Sequence, residues 1–412
     1  MTSQLARRIA FTLGALFVYR LGAYIPVPGI DSAAWVEFFG SHRNGILGQA
    51  NIMSGGAVRS LGLFSLALTP YLTVAIFLQL LAVVSSRFRT LSNVGERGHK
   101  KIELYTRCGA AVLAASQAYG IASGLERIDT VVPDPGPLFV ITTVLSLTGG
   151  MLFLVWLSAQ ITARGIGNGI ALILFTGIVA ELPRETYLTL QAGMRTVASS
   201  NTMLALLALL VAVTAIVVTM ERARRRLTVR FPARVIGEHR LPAQSTDLAY
   251  KLNPAGIMPT VVASWLMAIA LVALTLAGLA PGRNGGLVHA MDSDVLLHLV
   301  VYAGLTMFLA FVYTAAVCDP QDAAAKLQSH GATVDDVAPG APTAVHLDTI
   351  ISRLCVIGAP YVTVVVVLPD LLSMILPDAP LYVGGVWLLI LVCVTLDIEA
   401  QIRGALARPA PA

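Results

Sequence analysis

Histidine and cysteine side chains are the first candidates for catalysis or metal binding in this sequence, which has 7 histidines and 4 cysteines among 412 residues. The histidines show no HExxH or comparable ligand spacing, and no two cysteines have the separation of a metal or redox motif. Gly165-Ile166-Gly167-Asn168-Gly169 looks like a nucleotide-binding loop, but its spacing differs from GxGxxG and no strand precedes it. We therefore expect no catalytic residue, no metal site and no cofactor, and the chain is predicted not to be an enzyme.

The composition indicates a membrane protein. Only 12% of the residues are charged and 56% are hydrophobic, whereas soluble domains are about 25% charged. A soluble fold cannot cover its surface with so few charges, so the sequence predicts an all-α polytopic membrane protein.

Long uncharged stretches predict the spanning helices, each needing roughly 20 apolar residues. Pro70 is expected to divide the uncharged stretch 60–86, because proline breaks the helical hydrogen-bond ladder. Ten spans are predicted near residues 9–27, 68–86, 108–124, 138–159, 166–182, 203–220, 256–279, 296–317, 354–372 and 381–397.

The placement of basic residues predicts the orientation. Most of the 28 Lys and Arg residues lie in alternate loops, and such loops face the cytoplasm. Both termini are therefore expected to be cytoplasmic, which agrees with an even number of spans. Ten spans divide into an N-terminal half (1–190, spans one to five) and a C-terminal half (203–412, spans six to ten). Because five is odd, the halves would have inverted topology around a pathway, as in many transporters.

Ionisable side chains are sparse within the predicted spans: Arg20 lies near the outer end of the first, and Asp397 and Glu399 at the inner end of the last. Coupled transporters usually place such residues at mid-membrane. A small-solute secondary transporter is therefore the less favoured alternative to a passive or externally driven pore. Polar side chains within or beside the spans mark either a working interface or ordinary hydrogen bonds between helices; they are Gln79, Gln117, Asn253 and Ser264.

Two cytoplasmic loops, 221–253 and 318–352, are longer than a small-molecule transporter needs. The run Arg224-Arg225-Arg226 could dock a large partner or anchor the chain at anionic lipid headgroups. Charge alone does not separate these two interpretations.

Five blocks of sequence carry a family resemblance: Val18–Asp31, Met53–Ala57 with Leu68–Leu72, Gly95–Arg107, Arg164–Ile170 and Gln244–Pro259. In composition and order they resemble the SecY family, the channel subunit of the bacterial protein translocase. The likeness runs nearly end to end. It implies a channel of ten helices in two inverted five-helix halves around a central pore, which passes unfolded preproteins and releases hydrophobic segments laterally into lipid.

The resemblance also implies the site residues. A plug, a short helix that stops the pore from outside, would occupy about 51–65 and include Asn51, Met53, Ser54, Gly55, Gly56 and Ala57. The pore ring would comprise Leu68, Leu72, Leu174, Val261 and Ile390. All five are aliphatic, as a constriction that excludes water by dewetting requires.

The lateral gate of the family would lie between spans two and three on one side and seven and eight on the other. Gln79, Gln117, Asn253 and Ser264 fall on or beside those helices, which favours a weak polar latch. The long loops would dock a SecA-type ATPase or a ribosome, with Arg224, Arg225, Arg226 and Arg230 as the electrostatic part of the contact.

The remaining implications concern partners and location. SecE-like and SecG-like subunits are expected, together with preprotein substrates and membrane lipid, and no direct contact with nucleic acid. The location would be the bacterial plasma membrane.

The second long loop departs from the family pattern. An arginine central to SecA coupling is expected where this chain has Ala338, after Asp335 and Asp336. Loss of an arginine beside two acids weakens attraction to an acidic partner. A diverged accessory channel or a non-translocating paralogue is therefore the main alternative.

Overall fold

The computed structural model describes residues 2–42, 46–85, 96–128, 130–195, 200–232, 234–236, 239–241, 244–274, 295–335, 337–375 and 384–407. They are mostly helical and form two units. The first comprises Met1–Leu188 together with Val394–Ala412, and the second comprises Thr189–Cys393. The last helix therefore begins in the second unit and ends in the first.

The first unit is built from helices whose limits follow the apolar stretches. They are α1 (Thr2–Ala23), α2 (Ser32–His42), α3 (Ile46–Met53), α4 (Thr69–Val84), α5 (Glu96–Leu125), α6 (Pro137–Arg164) and α7 (Gly169–Arg195). Pro70 lies in the first turn of α4 and Pro137 in the first turn of α6, where a missing N–H costs nothing. The predicted break at Pro70 is confirmed.

Helix α5 packs against α4 and α6 through small side chains. Fully buried alanines recur at every fourth position, which places them on one face of the helix; they are Ala110, Ala114, Ala118 and Ala122. Side chains of this size allow neighbouring helix backbones to approach closely, which is how helices associate where lipid removes the hydrophobic driving force.

The second unit contains α8 (Ser200–Arg222), α9 (Met258–Leu274), α10 (Val295–Val317), α11 (Pro320–Ser329), α12 (Ala341–Ile375) and the start of α13 (Gly385–Ala407). Helix α10 packs against both α9 and α12. Pro360 and Pro369 lie inside α12, and spanning helices tolerate internal prolines where neighbouring groups satisfy the freed backbone.

The two long loops of the second unit contain strands, which the all-α expectation did not include. They are β1 (Arg224–Phe231), β2 (Arg234–Ile236), β3 (His239–Leu241), β4 (Gln244–Lys251) and β5 (Thr333–Val334). The strand order of one sheet is β4-β1-β5, with both pairings antiparallel. A strand of the second loop is thus added to the hairpin of the first.

Each predicted span overlaps a helix, but its ends differ by up to four residues, because 24–27, 166–168 and 256–257 are not helical. Residues 86, 275–279 and 381–383 of the predicted spans lie outside the described residues. By length and composition, five stretches of the described residues are suited to cross a membrane: Lys100–Leu125, Pro137–Arg164, Leu296–Ser329 (α10 continued by α11), Ala341–Leu372 and Gly385–Gly404. The number ten and the inverted arrangement of the halves stay predictions.

Candidate functional site

The segment predicted to form the plug is helical only at its start. Helix α3 ends at Met53, and Ser54–Leu68 folds as consecutive turns rather than as the expected helix over 51–65. Gly55 has φ +66° and donates its N–H to Ile52 O (3.1 Å), while Gly56 N donates to Asn51 O (2.8 Å). This pair of bonds is a Schellman motif, whose left-handed position favours glycine. The Gly55-Gly56 pair therefore ends the helix.

Helix α1 holds this turn segment through its backbone oxygens. The buried Tyr19 hydroxyl donates to Ser54 O (3.0 Å), and the Arg20 guanidinium donates to Gly55 O. The turns are also braced internally, because Ser54 Oγ accepts from Val58 N (3.2 Å). The segment is thus fixed by polar contacts to its backbone as well as by its apolar side chains.

Helix α7 approaches the same segment with Gly177 and Glu181, which lie one turn apart on one face. A Cβ at Gly55 would lie 2.8 Å from Gly177 Cα, and a Cβ at Gly56 would collide with Glu181 Oε1. Asn51 Nδ2 donates to Glu181 Oε2 (3.3 Å). Three glycines therefore permit a backbone approach that a larger residue would prevent.

Glu181 was missed by sequence reasoning, although it falls inside predicted span five, and so was Asp370 in span nine. The predicted spans therefore contain more ionisable residues than Arg20, Asp397 and Glu399, since His298 also lies within span eight. A carboxylate interrupting an otherwise uncharged stretch was the available signal, because such groups face protein or a cavity rather than lipid.

The proposed pore-ring residues are mostly buried within their own units. Leu68 and Leu72, at the start of α4, are buried, and Leu174 on α7 is half-buried. Val261 on α9 and Ile390 on α13 are buried in the second unit. Convergence of all five on one constriction stays a prediction.

The proposed gate residues have different environments. Gln79 on α4 is exposed and Gln117 on α5 is half-buried. Ser264 Oγ and Tyr302 OH are 2.8 Å apart and join α9 to α10. Asn253 is buried, with its Nδ2 donating to Glu221 Oε1 (3.2 Å) and to Gly256 O (3.1 Å). Asn253 therefore fixes the turn before α9, and its role in a gate stays a prediction.

The two long loops form one small folded body, which we call the loop module: β1, β4, α11, β5 and the first turns of α12. Its core consists of the buried side chains Leu227, Val229, Ala332, Val334 and Leu347. Arg224, Arg225, Arg226 and Arg230 on β1 are all exposed, and Arg226 and Arg230 alternate with the buried pair Leu227 and Val229. Arg224, Arg226 and Arg230 thus lie on the face of the strand opposite its buried side chains.

Burial, with a smaller effect of Cys318, raises the pKa of the Tyr250 phenol on β4.

Asp335 ties the second loop to β1. Its N–H donates to Thr228 O (3.0 Å), its Oδ1 accepts from Thr228 N (3.0 Å), and its Oδ2 lies 3.6 Å from His346 Nε2. Asp335 has φ +45°, a left-handed conformation that aspartate tolerates better than most residues. Sequence reasoning treated this acid as a loss of docking charge, whereas it has a structural role.

Solved structures of known channels share this fold. A protein-conducting channel matches over 98% of this chain and 93% of its own, with a TM-score of 0.68 at 16% identity. Sec61 in a canine ribosome-channel complex matches over the same shares, with a TM-score of 0.63 at 15% identity. The fold is therefore that of the protein-conducting channels.

Sequence comparison identifies the family. The protein translocase subunit SecY of Escherichia coli (strain K12) is 38% identical over 97% of this chain and 91% of its own length. SecY of Vibrio cholerae is likewise 38% identical, over 97% and 91%. A sequence profile of the SecY family matches residues 62–399. The chain belongs to the SecY family.

Proposed function

We propose that this chain is the channel-forming subunit of a bacterial protein translocase, passing unfolded preproteins across the plasma membrane and releasing apolar segments laterally into lipid. The observation that carries the proposal is 38% identity to the Escherichia coli protein translocase subunit over 97% of the chain. The channel itself needs no catalytic group, so an external motor or a translating ribosome would supply the work.

The seal of this channel would consist of two parts. Leu68, Leu72, Leu174, Val261 and Ile390 would form an aliphatic ring that excludes water and deforms around a passing chain. Residues 51–65 would close the ring from outside. The polar contacts of Ser54 and Gly55 with α1 support a closed position for this segment, since they fix its backbone.

Lateral release would occur between α4 and α5 on one side and α9 and α10 on the other. The bond between Ser264 and Tyr302 supports this assignment, because it would keep α9 and α10 together while the seam opens elsewhere. Gln79, Gln117 and Asn253 would contribute the remaining polar contacts.

The loop module would face the cytoplasm and be the docking surface. Its exposed arginines suit an acidic surface or a ribosome, and two of the fold relatives are ribosome-bound channels, the canine Sec61 complex and the yeast Ssh1 complex. SecE-like and SecG-like subunits and a SecA-type ATPase would complete the assembly, with both termini in the cytoplasm.

An accessory or non-translocating paralogue is the second candidate. Ala338 stands at the loop position where the family resemblance implies an arginine, and Asp335 is committed to β1. The missing arginine at position 338 favours a weaker SecA-type contact and a channel driven by another partner, whereas Asp335 fixes the loop to β1.

Depletion of the chain from its native cell and rescue by variants tests the proposal. We expect export to stop on depletion and to return with the native chain. In a background lacking the four native cysteines, Ser54→Cys with Ile390→Cys should form a disulfide that blocks export, and reductant should restore it. Unchanged export on depletion would contradict translocation, whereas efficient crosslinking without a block would contradict only the plug assignment.

A further inference from the structure

We infer that Glu181 is a positioning residue that locks the plug segment closed and thereby sets how apolar a signal sequence must be to open the channel. The inference rests on the proposed plug role of residues 51–65. It assigns a function to a buried carboxylate that neither the pore ring nor the gate uses.

Geometry supports the lock. Glu181 is 2% exposed, and its Oε2 accepts a hydrogen bond from Asn51 Nδ2 (3.3 Å). The side-chain oxygen of the same Asn51 accepts from Arg59 N (2.8 Å), further along the plug segment. The side chain of Asn51 therefore links Glu181 on α7 to the backbone of Arg59. Gly56 lies close against the same carboxylate, where a Cβ would collide with Oε1.

Charge strengthens the contact. Burial opposes the charge of the Glu181 carboxylate most strongly, and Arg59 of the plug segment is the largest of the cations that favour it, ahead of Arg184 and Arg20. Arg184 NH1 lies 3.9 Å from Glu181 Oε2, and Arg20 donates to Gly55 O. One of the cations that balance the buried carboxylate thus belongs to the segment that must leave when the channel opens.

Opening is therefore linked to the charge of Glu181. Displacement of the segment removes the Asn51 donor and the Arg59 charge, and a buried carboxylate that loses such partners is strongly destabilised. This penalty falls only on the open state, so it shifts the equilibrium toward the closed one. A signal sequence must supply this free-energy difference by burying its own apolar surface. Signal sequences with too little apolar surface therefore fail to open the channel.

The variants separate charge from shape. Glu181→Gln keeps the side-chain shape and removes the charge. Asn51→Asp keeps the acceptor for Arg59 N and replaces the donor to Glu181 with a second carboxylate, so it should open the segment most. Asn51→Asp with Glu181→Gln again pairs one amide donor with one carboxylate. Glu185→Gln is the matched control, because Glu185 is also buried on α7 and lies 3.3 Å from Arg184.

The experiment measures export by the full chain in its native membrane of two reporters, one with a strongly apolar signal and one with a shortened signal, alongside membrane abundance. We expect Asn51→Asp to raise export of the weak-signal reporter about tenfold, the scale of losing one charged hydrogen bond. Glu181→Gln should raise it less, and the double variant should return toward the native level. Glu185→Gln removes a charge that opposes the carboxylate of Glu181, so it should not raise export of the weak-signal reporter, and export of the strong-signal reporter should not change in any variant.

An equal rise with Glu185→Gln, or no rise with Asn51→Asp, would overturn the lock. If the Glu181→Gln protein does not accumulate in the membrane, the export measured with Asn51→Asp tests the lock by itself. Lack of export of the strong-signal reporter by the native chain would instead refute the proposed function, so the two failures are distinguishable.

Discussion

The plug segment and the loop module are both loops between helices, but different forces hold them. The module has a core of five buried aliphatic side chains and a ladder of β1 with β4 and β5. The plug segment folds as turns after Met53, with an isolated bridge from Gly62 to Pro26. Its buried Val58 and Leu61 pack in an apolar cluster, and its backbone also accepts hydrogen bonds from Tyr19 and Arg20. Side-chain hydrogen bonds of this kind can be exchanged for water, whereas the β-ladder of the module persists only while the module is folded. The module is thus suited to a permanent platform and the plug segment to repeated release.

Removing a buried side chain from the core of the module should have the largest effect on stability. Leu227→Ala deletes most of a fully buried side chain, and such changes cost about 2–5 kcal/mol. Limited proteolysis of membrane vesicles should show faster cleavage within 224–251 and 320–351. The exposed neighbour Thr228→Ala is the control. Equal protection of both variants would mean that the core does not hold the module together.

Crowding the contact of the plug segment with α7 should have the next largest effect. Gly56→Ala places a Cβ against Glu181 Oε1 at a φ of +89°, and a strained backbone position alone costs about 1–3 kcal/mol. We expect the resting channel to leak ions in planar bilayers. Gly120→Ala on α5, where a Cβ has nothing within 4 Å, should stay sealed. A sealed Gly56→Ala channel would mean that close packing at this glycine does not maintain the seal.

Asp335→Ala should loosen the module without unfolding it. The change removes the side-chain acceptor for Thr228 N and the partner of His346, worth about 1–2 kcal/mol for a lost hydrogen bond. Hydrogen exchange of peptides containing Thr228 should accelerate. Asp348→Ala, an exposed acid on α12, should leave the exchange unchanged, and identical rates in both variants would argue against the tie.

Removing a docking charge should have the smallest effect. Arg226→Ala changes an exposed side chain, so the stability of the module should stay within about 0.5 kcal/mol of the native value. Flotation of vesicles with ribosomes or a SecA-type ATPase should show binding that is a few-fold weaker at low salt, because steering by exposed charge is screened by ions. Arg226→Lys should restore it. A loss that is independent of salt would contradict an electrostatic role.

The sequence predicted the helices better than the contacts between distant segments. Uncharged stretches and Pro70 placed the helices because apolar length and a missing N–H are local properties. The bond between Asn51 and Glu181 joins residues 130 positions apart, and that between Thr228 and Asp335 spans 107. Neither pairing leaves a local pattern, so Glu181 was overlooked and Asp335 was misinterpreted.

The error over residues 54–65 had a different cause. The resemblance to a family with a plug helix outweighed a signal in the sequence itself. Two successive glycines favour a left-handed helix end, and Gly55 and Gly56 adopt φ values of +66° and +89°. The local chemistry of the glycine pair was the better guide to the backbone there.

The row of alanines on α5 affects how the first unit can move. A methyl group has no rotamer to change, and the four alanines from Ala110 to Ala122 present such groups to the neighbouring helices. A shift of α5 would therefore need no change of rotamer in the alanines themselves, so any side-chain rearrangement on that face would fall to the residues that pack against them.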